Sequence, residues 1–384
     1  MPEWRSRKLG ELVSIKHGFA FKGEYFTEVP QGPVLVTPGN FHIGGGFKKS
    51  KPKHYVGPMP AGFTLSPGDL VVSMTDLSKA ADSLGFPAII PDDAVYLHNQ
   101  RIGLVCISRP DLLDEKFLYF ALCSDGYHRH VVATATGSTV RHTSPNRICE
   151  YDIVLPSLSE QRAVAEVLDA LDRKITENEK IRDTALLLGR SLLDKELQEG
   201  GVTVKVREAA ELAYGKALPL PVRREGSVPV FGCTGQVGWH DTALTDKAYP
   251  VVGRKGANAG HVSWMSRPGW IIDTAFYARP ARGDITSEAL YFILDAAGIG
   301  SLIADSAVPG VNRNAALDHR MLVPNPGRME KFARQAQSLL AVGEQTASEN
   351  RTLADLRDTL LPQLLSGKLR VRDASRAVEE GVWP

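Results

Sequence analysis

The stretch Leu187–Leu197, LLGRSLLDKEL, has a counterpart in Leu356–Val371, LRDTLLPQLLSGKLRV, which closes the last long helical pattern of the chain. A helix phrase that stands twice raises the question of whether its surroundings do too, and internal repeats decide an architecture before any single element does. A gap-free shift of 168 residues lays SLLDKEL from Ser191 on TLLPQLL from Thr359, and Pro156 of VLPSLSEQ on Pro324 of LVPNPGRM. The same shift carries Ser138 and Val140 of TGSTVRHTSPNR onto Ser306 and Val308 of ADSAVPGVNR. Nearer the start the shift is larger, and LGELVSIKHG at Leu9 resembles AAELAYGK at Ala209. The first copy therefore holds roughly thirty extra residues, as insertions into surface loops would give. One plan is used twice.

Each copy reads as a mixed domain followed by one long helix. In the first, GPVLVTPGNFHI, GDLVVSM and RIGLVCIS are short β-branched runs bounded by Gly, Pro and Asp, the pattern of strands, and DEKFLYFALCS is a short amphipathic helix. In the second, AYPVVGRKG, HVSWMS and GWIIDTAFYA read as strands and SEALYFILDAAG as the matching helix. A proline, Pro156 or Pro324, ends each domain, and Ser157 with Glu160 fits a capping box. The expected division is a domain over 1–155, a helix over 156–199, a domain over 200–323, a helix over 324–370 and a tail over 371–384.

The first helix, about Ser159 to Leu197, carries Val164, Leu168, Leu171 and Ile175 at steps of four and three, the heptad seam of a coiled coil. The seam continues through Asn178, Arg182, Ala185, Gly189 and Leu192. In the second helix it is Phe332, Ala336, Leu339, Gly343, Thr346, Asn350, Leu353, Arg357, Leu360 and Leu364. Both seams are apolar at the ends and polar in the middle. An antiparallel pair related by a pseudo-twofold axis sets middle against middle, which also fixes the register. At 1.5 Å per residue the first helix would be a rod of about 58 Å, long enough to hold two domains apart. Two core helices of a single bundle are the alternative, although the length exceeds the usual globular range.

Composition narrows the function classes. A chain of 384 residues, 43% hydrophobic and 23% charged, has the length for two or three globular units. It has no apolar run of eighteen residues and its start, MPEWRSRKLGEL, lacks the apolar stretch of a signal peptide, so a cytoplasmic protein is expected. Cys106, Cys123, Cys149 and Cys233 show no C-x-x-C spacing and read as reduced thiols. A net charge of +1 leaves nucleic-acid binding to local basic patches or to a more basic partner. Motifs of catalysis are missing. GNFHIGGGFKK lacks the spacing of a phosphate-binding loop, so Gly44–Gly46 reads as a flexible loop. No H-E-x-x-H or spaced His/Cys cluster suggests a metal. FGCTGQVG at Phe231 reads as a turn between strands, PNPG at Pro324 lacks the second proline and aromatic residue of an amino-methyltransferase loop, and PDDAVYL at Pro91 has no partnered E-x-K strand.

The order domain, helix, domain, helix, with LPSLSEQRAVAEVLDALDRKI opening the first helix and LRDTLLPQLLSGKLRV closing the second, resembles the DNA specificity subunit of type I restriction–modification systems. SAVPGVNR and the starting W…KLGEL belong to the same resemblance, which covers nearly the whole chain. It implies an α+β protein of two mixed α/β target-recognition domains, each followed by a long helix, the helices pairing as an antiparallel coiled coil. It implies a non-catalytic, cytoplasmic subunit that reads a split, asymmetric sequence on double-stranded DNA and docks two methyltransferase subunits, with restriction subunits joining to make the nuclease. No cofactor is then expected on this chain, and S-adenosylmethionine would sit on the methyltransferase partner. Arg328 and Met329 stand where Glu160 and Gln161 stand in the first copy, so the two helix starts need not make the same partner contacts. A stand-alone DNA methyltransferase with degenerate motifs and a coiled-coil protein scaffold are the other readings weighed.

Candidate DNA contacts follow from residue chemistry: Arg pairs with guanine, Asn or Gln with adenine, and Lys or Arg with phosphate. FKKSKPKH puts Lys48, Lys49, Lys51 and Lys53 in one loop, as phosphate contacts or as a solvated run. HNQRIG offers Asn99, Gln100 and Arg101, as base readers or as strand-edge polar residues. In the second domain GRKGANAG presents Arg254, Lys255 and Asn258 among glycines that would let backbone approach DNA. PVRREG adds Arg223 and Arg224, and VPGVNRN adds Asn312 and Arg313, for which a structural role is the alternative. Two domains on one face of a duplex would read half-sites about one turn, ~34 Å, apart.

Overall fold

Side-chain oxygens open the helices where the sequence marks them. Asp114 accepts from the Phe117 amide at α1 (Glu115–Leu122), Ser124 from Tyr127 at α2 (Asp125–Thr134), and Ser144 from Arg147 at α3 (Pro145–Cys149). The box at α4 (Leu158–Gly200) forms as read, with Ser157 Oγ accepting from the Glu160 amide and Glu160 accepting from the Ser157 amide. After α5 (Val206–Ala209), Thr286 caps α6 (Ser287–Ala296) and Asn312 caps α7 (Arg313–Asp318). Asn325 accepts from the Arg328 amide at the start of α8 (Pro326–Leu365). The structure, a computed structural model, describes residues 4–49, 52–78, 80–256, 258–302 and 310–371. Lys51, Ser306, Val308 and the tail beyond Val371 lie outside the described residues. Among those residues no helix is long and apolar enough to cross a membrane.

The chain divides into two compact units, Met1–Lys174 with Thr352–Pro384, and Ile175–Arg351. Each unit therefore takes one mixed domain together with a part of both long helices.

The first unit holds a four-stranded antiparallel sheet in the order Val13–His17, Ile102–Ile107, Leu70–Ser73, Pro87–Ile89. Arg5–Lys8 pairs with Asp152–Leu155, and the parallel pair Val34–Leu35 with Tyr96–Leu97 anchors a second sheet. Its main core joins the sheet residues Val13, Leu70 and Val72 to Phe117, Leu118 and Tyr127 of α1 and α2. The same cluster takes in Val164, Ala165, Leu168 and Leu171 of α4 with Leu360 and Leu364 of α8. Arg357 Nη1 reaches Asp172 Oδ1 at 2.8 Å beside it. The start of α4 thus lies against the end of α8, the antiparallel pairing read from the seams.

The second unit repeats the order: Ala210–Tyr214, Ala275–Pro280, Tyr249–Gly253, Val262–Met265. Gly201–Lys205 pairs with Arg320–Pro324, and Val228–Gly232 runs parallel to Trp270–Ile271. Here the end of α4 meets the start of α8, with Leu193, Met329, Phe332, Ala336 and Leu340 in one cluster with Phe276 and Phe292. A Cβ on Gly189 would lie 2.3 Å from the Phe292 ring, so the helix-weakening glycine is what admits that phenylalanine. The polar middle of the seam is occupied as its residue types suggest: Asn178 Nδ2 donates to Asn350 Oδ1 at 2.8 Å and Asn350 Nδ2 to the Ile175 carbonyl at 3.1 Å.

Two readings need correction. The starts of the two copies align on Lys8–Glu11 and Lys205–Glu208, not on Leu9 and Ala209. Glu11 accepts from the Lys8 amide and Glu208 from the Lys205 amide, while Lys8 faces Asp152 and Lys205 faces Arg320 across equivalent strand pairs. In the seam of the second unit Leu193 and Leu340 are buried and Leu192 and Leu339 only half-buried, one step past the heptad positions. A straight helix of 3.6 residues per turn drifts off a 3.5-residue repeat, and here both helices also face the domain. Glu160 and Gln161, expected to meet a partner from the helix start, are bonded within their own unit: Glu160 caps α4, and Gln161 is fully buried against the domain.

Candidate nucleic-acid interface

In both units one strand ends against backbone that leaves no room for a Cβ. A Cβ on Gly18 would lie 2.2 Å from the Asn99 carbonyl oxygen, and one on Gly215 would lie 2.2 Å from that of Ile272. In the first unit this contact fixes the HNQRIG segment. Phe19 N donates to His98 O at 2.8 Å, Gln100 N to Phe19 O at 2.9 Å and Ile102 N to Asn99 O at 2.9 Å. Asn99 is buried, and its Oδ1 faces the Arg101 amide at 3.4 Å, whereas Gln100 and Arg101 are exposed. These three line an open cleft of about 500 Å³ together with Lys53, Phe21, Phe26 and Leu77. Leu77 is 65% exposed there, an apolar side chain open to water beside Gln100 and Arg101.

Lys53 lines the cleft, while Lys49 Nζ lies 2.7 Å from Asp93, whose carboxyl is held below the usual range by Lys49 and by the Tyr96 hydroxyl. Both partners of that pair are exposed, so it exchanges readily with solvent or a phosphate. Lys48 is exposed, with its backbone tied to Asn40 by Lys48 N to Asn40 O at 2.7 Å and Asn40 Nδ2 to Lys48 O at 3.1 Å.

In the second unit the structure brings GRKGANAG and VPGVNR side by side. Lys255 bridges Gly310, and Val311 N donates to Arg254 O at 2.9 Å. The Arg254 and Arg313 guanidiniums stand 4.9 and 5.6 Å from the centroid of one ring, Tyr214, which is 51% exposed. Arg254 Nη1 also donates to Asp273 O at 3.1 Å, and Arg313 Nε to Leu212 O at 2.6 Å. Lys255 and Asn258 are exposed on the loop itself. Asn312 is occupied as the cap of α7, accepting from Asn314 and Ala315. Arg223 and Arg224 lie apart from this group. Arg223 Nη1 donates to Val237 O at 2.9 Å. Arg224 grips Asp241 at 2.5 and 3.0 Å and holds that carboxyl down to about 2.

The same bracing occurs in the first unit, where Thr75–Asp76 pairs with Arg141–His142 and Thr143 N donates to Met74 O at 3.0 Å. Asp76 then accepts from Ser78 N and Ser83 N, both at 2.6 Å, and from Ser83 Oγ at 2.8 Å, which shapes the loop carrying Leu77. Arg141–Thr143 in the first unit and Gly310 with Val311 in the second thus form a strut against the loop that follows the Leu70–Ser73 or Tyr249–Gly253 strand. Tyr214 and Leu77 are the residues that sequence reasoning missed. For Tyr214 the signal was an aromatic at the end of a strand, next to a glycine that cannot be replaced. Among the described residues no group of His, Cys, Asp or Glu is placed to hold a metal ion.

Residues 1–186 match the sequence model of the family described as type I restriction modification DNA specificity domain. The chain is 29% identical over 168 residues to the specificity subunit of the type I restriction enzyme EcoBI of Escherichia coli, a region covering 44% of this chain and 32% of that protein. It is 27% identical over 177 residues to the MjaVIII specificity subunit of Methanocaldococcus jannaschii, covering 45% of this chain and 40% of the relative. The matched regions therefore span about a third and two fifths of these relatives. The solved S subunit of a type I restriction–modification system from M. genitalium shares the fold, with a TM-score of 0.53 at 21% identity over 94% of this chain and 96% of that one.

Proposed function

We propose, from the membership of residues 1–186 in the type I restriction modification DNA specificity domain family, that the whole chain is the DNA-recognition subunit of such a complex. One observation carries the reading beyond the matched half. The two units build the same strut and the same glycine-limited strand end, yet present different side chains on them: Gln100, Arg101 and Lys53 in one, Arg254, Lys255 and Tyr214 in the other. A repeated scaffold with unlike reading edges suits a target of two unlike blocks. Exposed guanidinium, amide and ammonium groups are the types that contact base edges and phosphates.

In this reading the chain carries no catalytic step. It binds double-stranded DNA and positions two methyltransferase subunits, which bring S-adenosylmethionine, and a restriction subunit joins the same assembly. The test is a genome-wide map of methylated bases in the host with and without the gene. Loss of one split, asymmetric motif is the expected result; an unchanged map in a strain that expresses the complex would refute it. A finer check replaces Lys48, Lys49, Lys51 and Lys53 together. Phosphate binding by these lysines predicts weaker affinity for all sequences and a salt slope reduced by about 0.9 for each phosphate no longer neutralised.

A further inference from the structure

The second unit has another cleft, of about 690 Å³, lined in part by Phe231, Thr234, Gly235 and Gln236 of the FGCTGQVG turn and by none of the loops taken above as candidate DNA contacts. Gln236, Trp239, Trp264 and Arg267 line it from the sheet side, and Arg182 and Arg351 line it from α4 and α8. The Arg267 guanidinium lies 5.4 Å from the centroid of the Trp239 ring, and that indole is 39% exposed. Trp264 tilts against Tyr291 with ring centroids 6.0 Å apart. Acidic groups account for part of the positive charge: Asp183 sits 3.0 Å from Arg182, Asp295 sits 2.7 Å from Arg190, and Glu344 also lines the wall. Among the described residues no carboxylate pairs with Arg267 or Arg351.

Half-open indoles, uncommitted guanidiniums and a primary amide are the parts of a site for unstacked nucleotides. Bases stack on aromatic rings, Arg takes the phosphates, and an amide donates to and accepts from a base edge. The volume falls in the range that encloses a small ligand and is far below one turn of duplex. An acidic peptide would use the arginines but has no need of two indoles. We infer that this cleft binds one or two unstacked nucleotides, the base against Trp239 or Trp264 and the phosphate at Arg267 and Arg351. The inference rests on the proposed DNA-binding function only for where such a nucleotide would come from, which is a free single strand or a base extruded from the duplex.

The experiment titrates the full chain with three probes: a short oligothymidine, a fully paired duplex, and the same duplex with one unpaired nucleotide. Tryptophan fluorescence reports stacking, and anisotropy of labelled DNA reports affinity. Quenching by oligothymidine alone supports the free-strand source, quenching by the bulged duplex alone supports the extruded base, and either supports the site. Trp239→Ala should weaken binding of the quenching probe about ten-fold, the scale of one base–aromatic stack. Arg351→Ala, on an exposed helix position that folding tolerates, should weaken it and flatten its salt dependence by about 0.7 in slope. Wild-type affinity for the unstacked probes in both variants would overturn the inference. So would a paired duplex that quenches as strongly as the bulged one. A chain that binds the paired duplex but neither unstacked probe loses this site while keeping its DNA-binding reading. A chain that binds no DNA loses both.

Discussion

Gln161 shows how much of a side chain's work its residue type leaves unsaid. Its position in LPSLSEQ marked it as a partner contact, yet the side chain is fully buried and bonds three backbone groups of its own unit. Its Oε1 accepts from Asp114 N at 2.9 Å, and its Nε2 donates to Leu112 O at 2.9 Å and to Pro156 O at 3.0 Å. It latches the start of α4 to the start of α1. Gln161→Met keeps the volume and matches the residue that the second copy has, Met329, but leaves these backbone groups unpaired. Each buried polar group left unsatisfied costs about 1–3 kcal/mol, so urea unfolding should show a loss of at least ~2 kcal/mol. A loss under half that would mean that water replaces the amide. What a side chain is bonded to was not legible from one sequence, because Gln161 and Arg101 look equally polar on paper and only the fold separates buried from exposed.

At the scale of elements the sequence was more informative. Strands and short helices stand where β-branched runs and capping residues placed them, since those signals act within a few residues. The slip from Leu192 to Leu193 and from Leu339 to Leu340 falls where both helices also pack on the domain, with Phe292 in the same cluster, a contact that no heptad count contains. The same region holds a charge cluster. Glu196 is buried on α4, with Lys331 Nζ at 2.6 Å and Arg328 Nη1 at 2.8 Å from α8. Hydrogen bonds from Lys331 and then Arg328 hold its carboxyl below the usual glutamate range. A depressed folded value means that the pairing is stabilised above the ordinary glutamate range and loses that contribution as pH falls through the depressed value. Far-UV dichroism during an acid titration should show the melting temperature dropping through this window. Glu196→Gln should start lower at neutral pH and drop less; an equal acid slope in both proteins would assign the effect to other carboxylates.

For the molecule as a whole, the repeat and the antiparallel pairing of Leu168 with Leu360 were legible from the seams, whereas which domain each helix end packs on was not, because a heptad pattern carries no record of that contact. Under the proposed DNA-recognition function, two units with one scaffold and different loops predict modular reading. Replacing Arg254–Asn258 with the corresponding loop of a homologue should change one block of the methylated motif and leave the other, as long-read methylation sequencing would show. Changes in both blocks would contradict independent units. The division of the chain has a consequence for its synthesis. Unit Ile175–Arg351 is continuous, but the first unit needs Thr352 onward to complete its core. Translation at roughly 5–20 residues per second leaves Val164, Leu168 and Leu171 waiting about ten to forty seconds for Leu360 and Leu364. The part made first is thus completed last. A product cut short by a broken message keeps an uncovered apolar stripe on its first unit, the sort of surface chaperones and proteases act on, so the cell can tell a finished chain from an unfinished one.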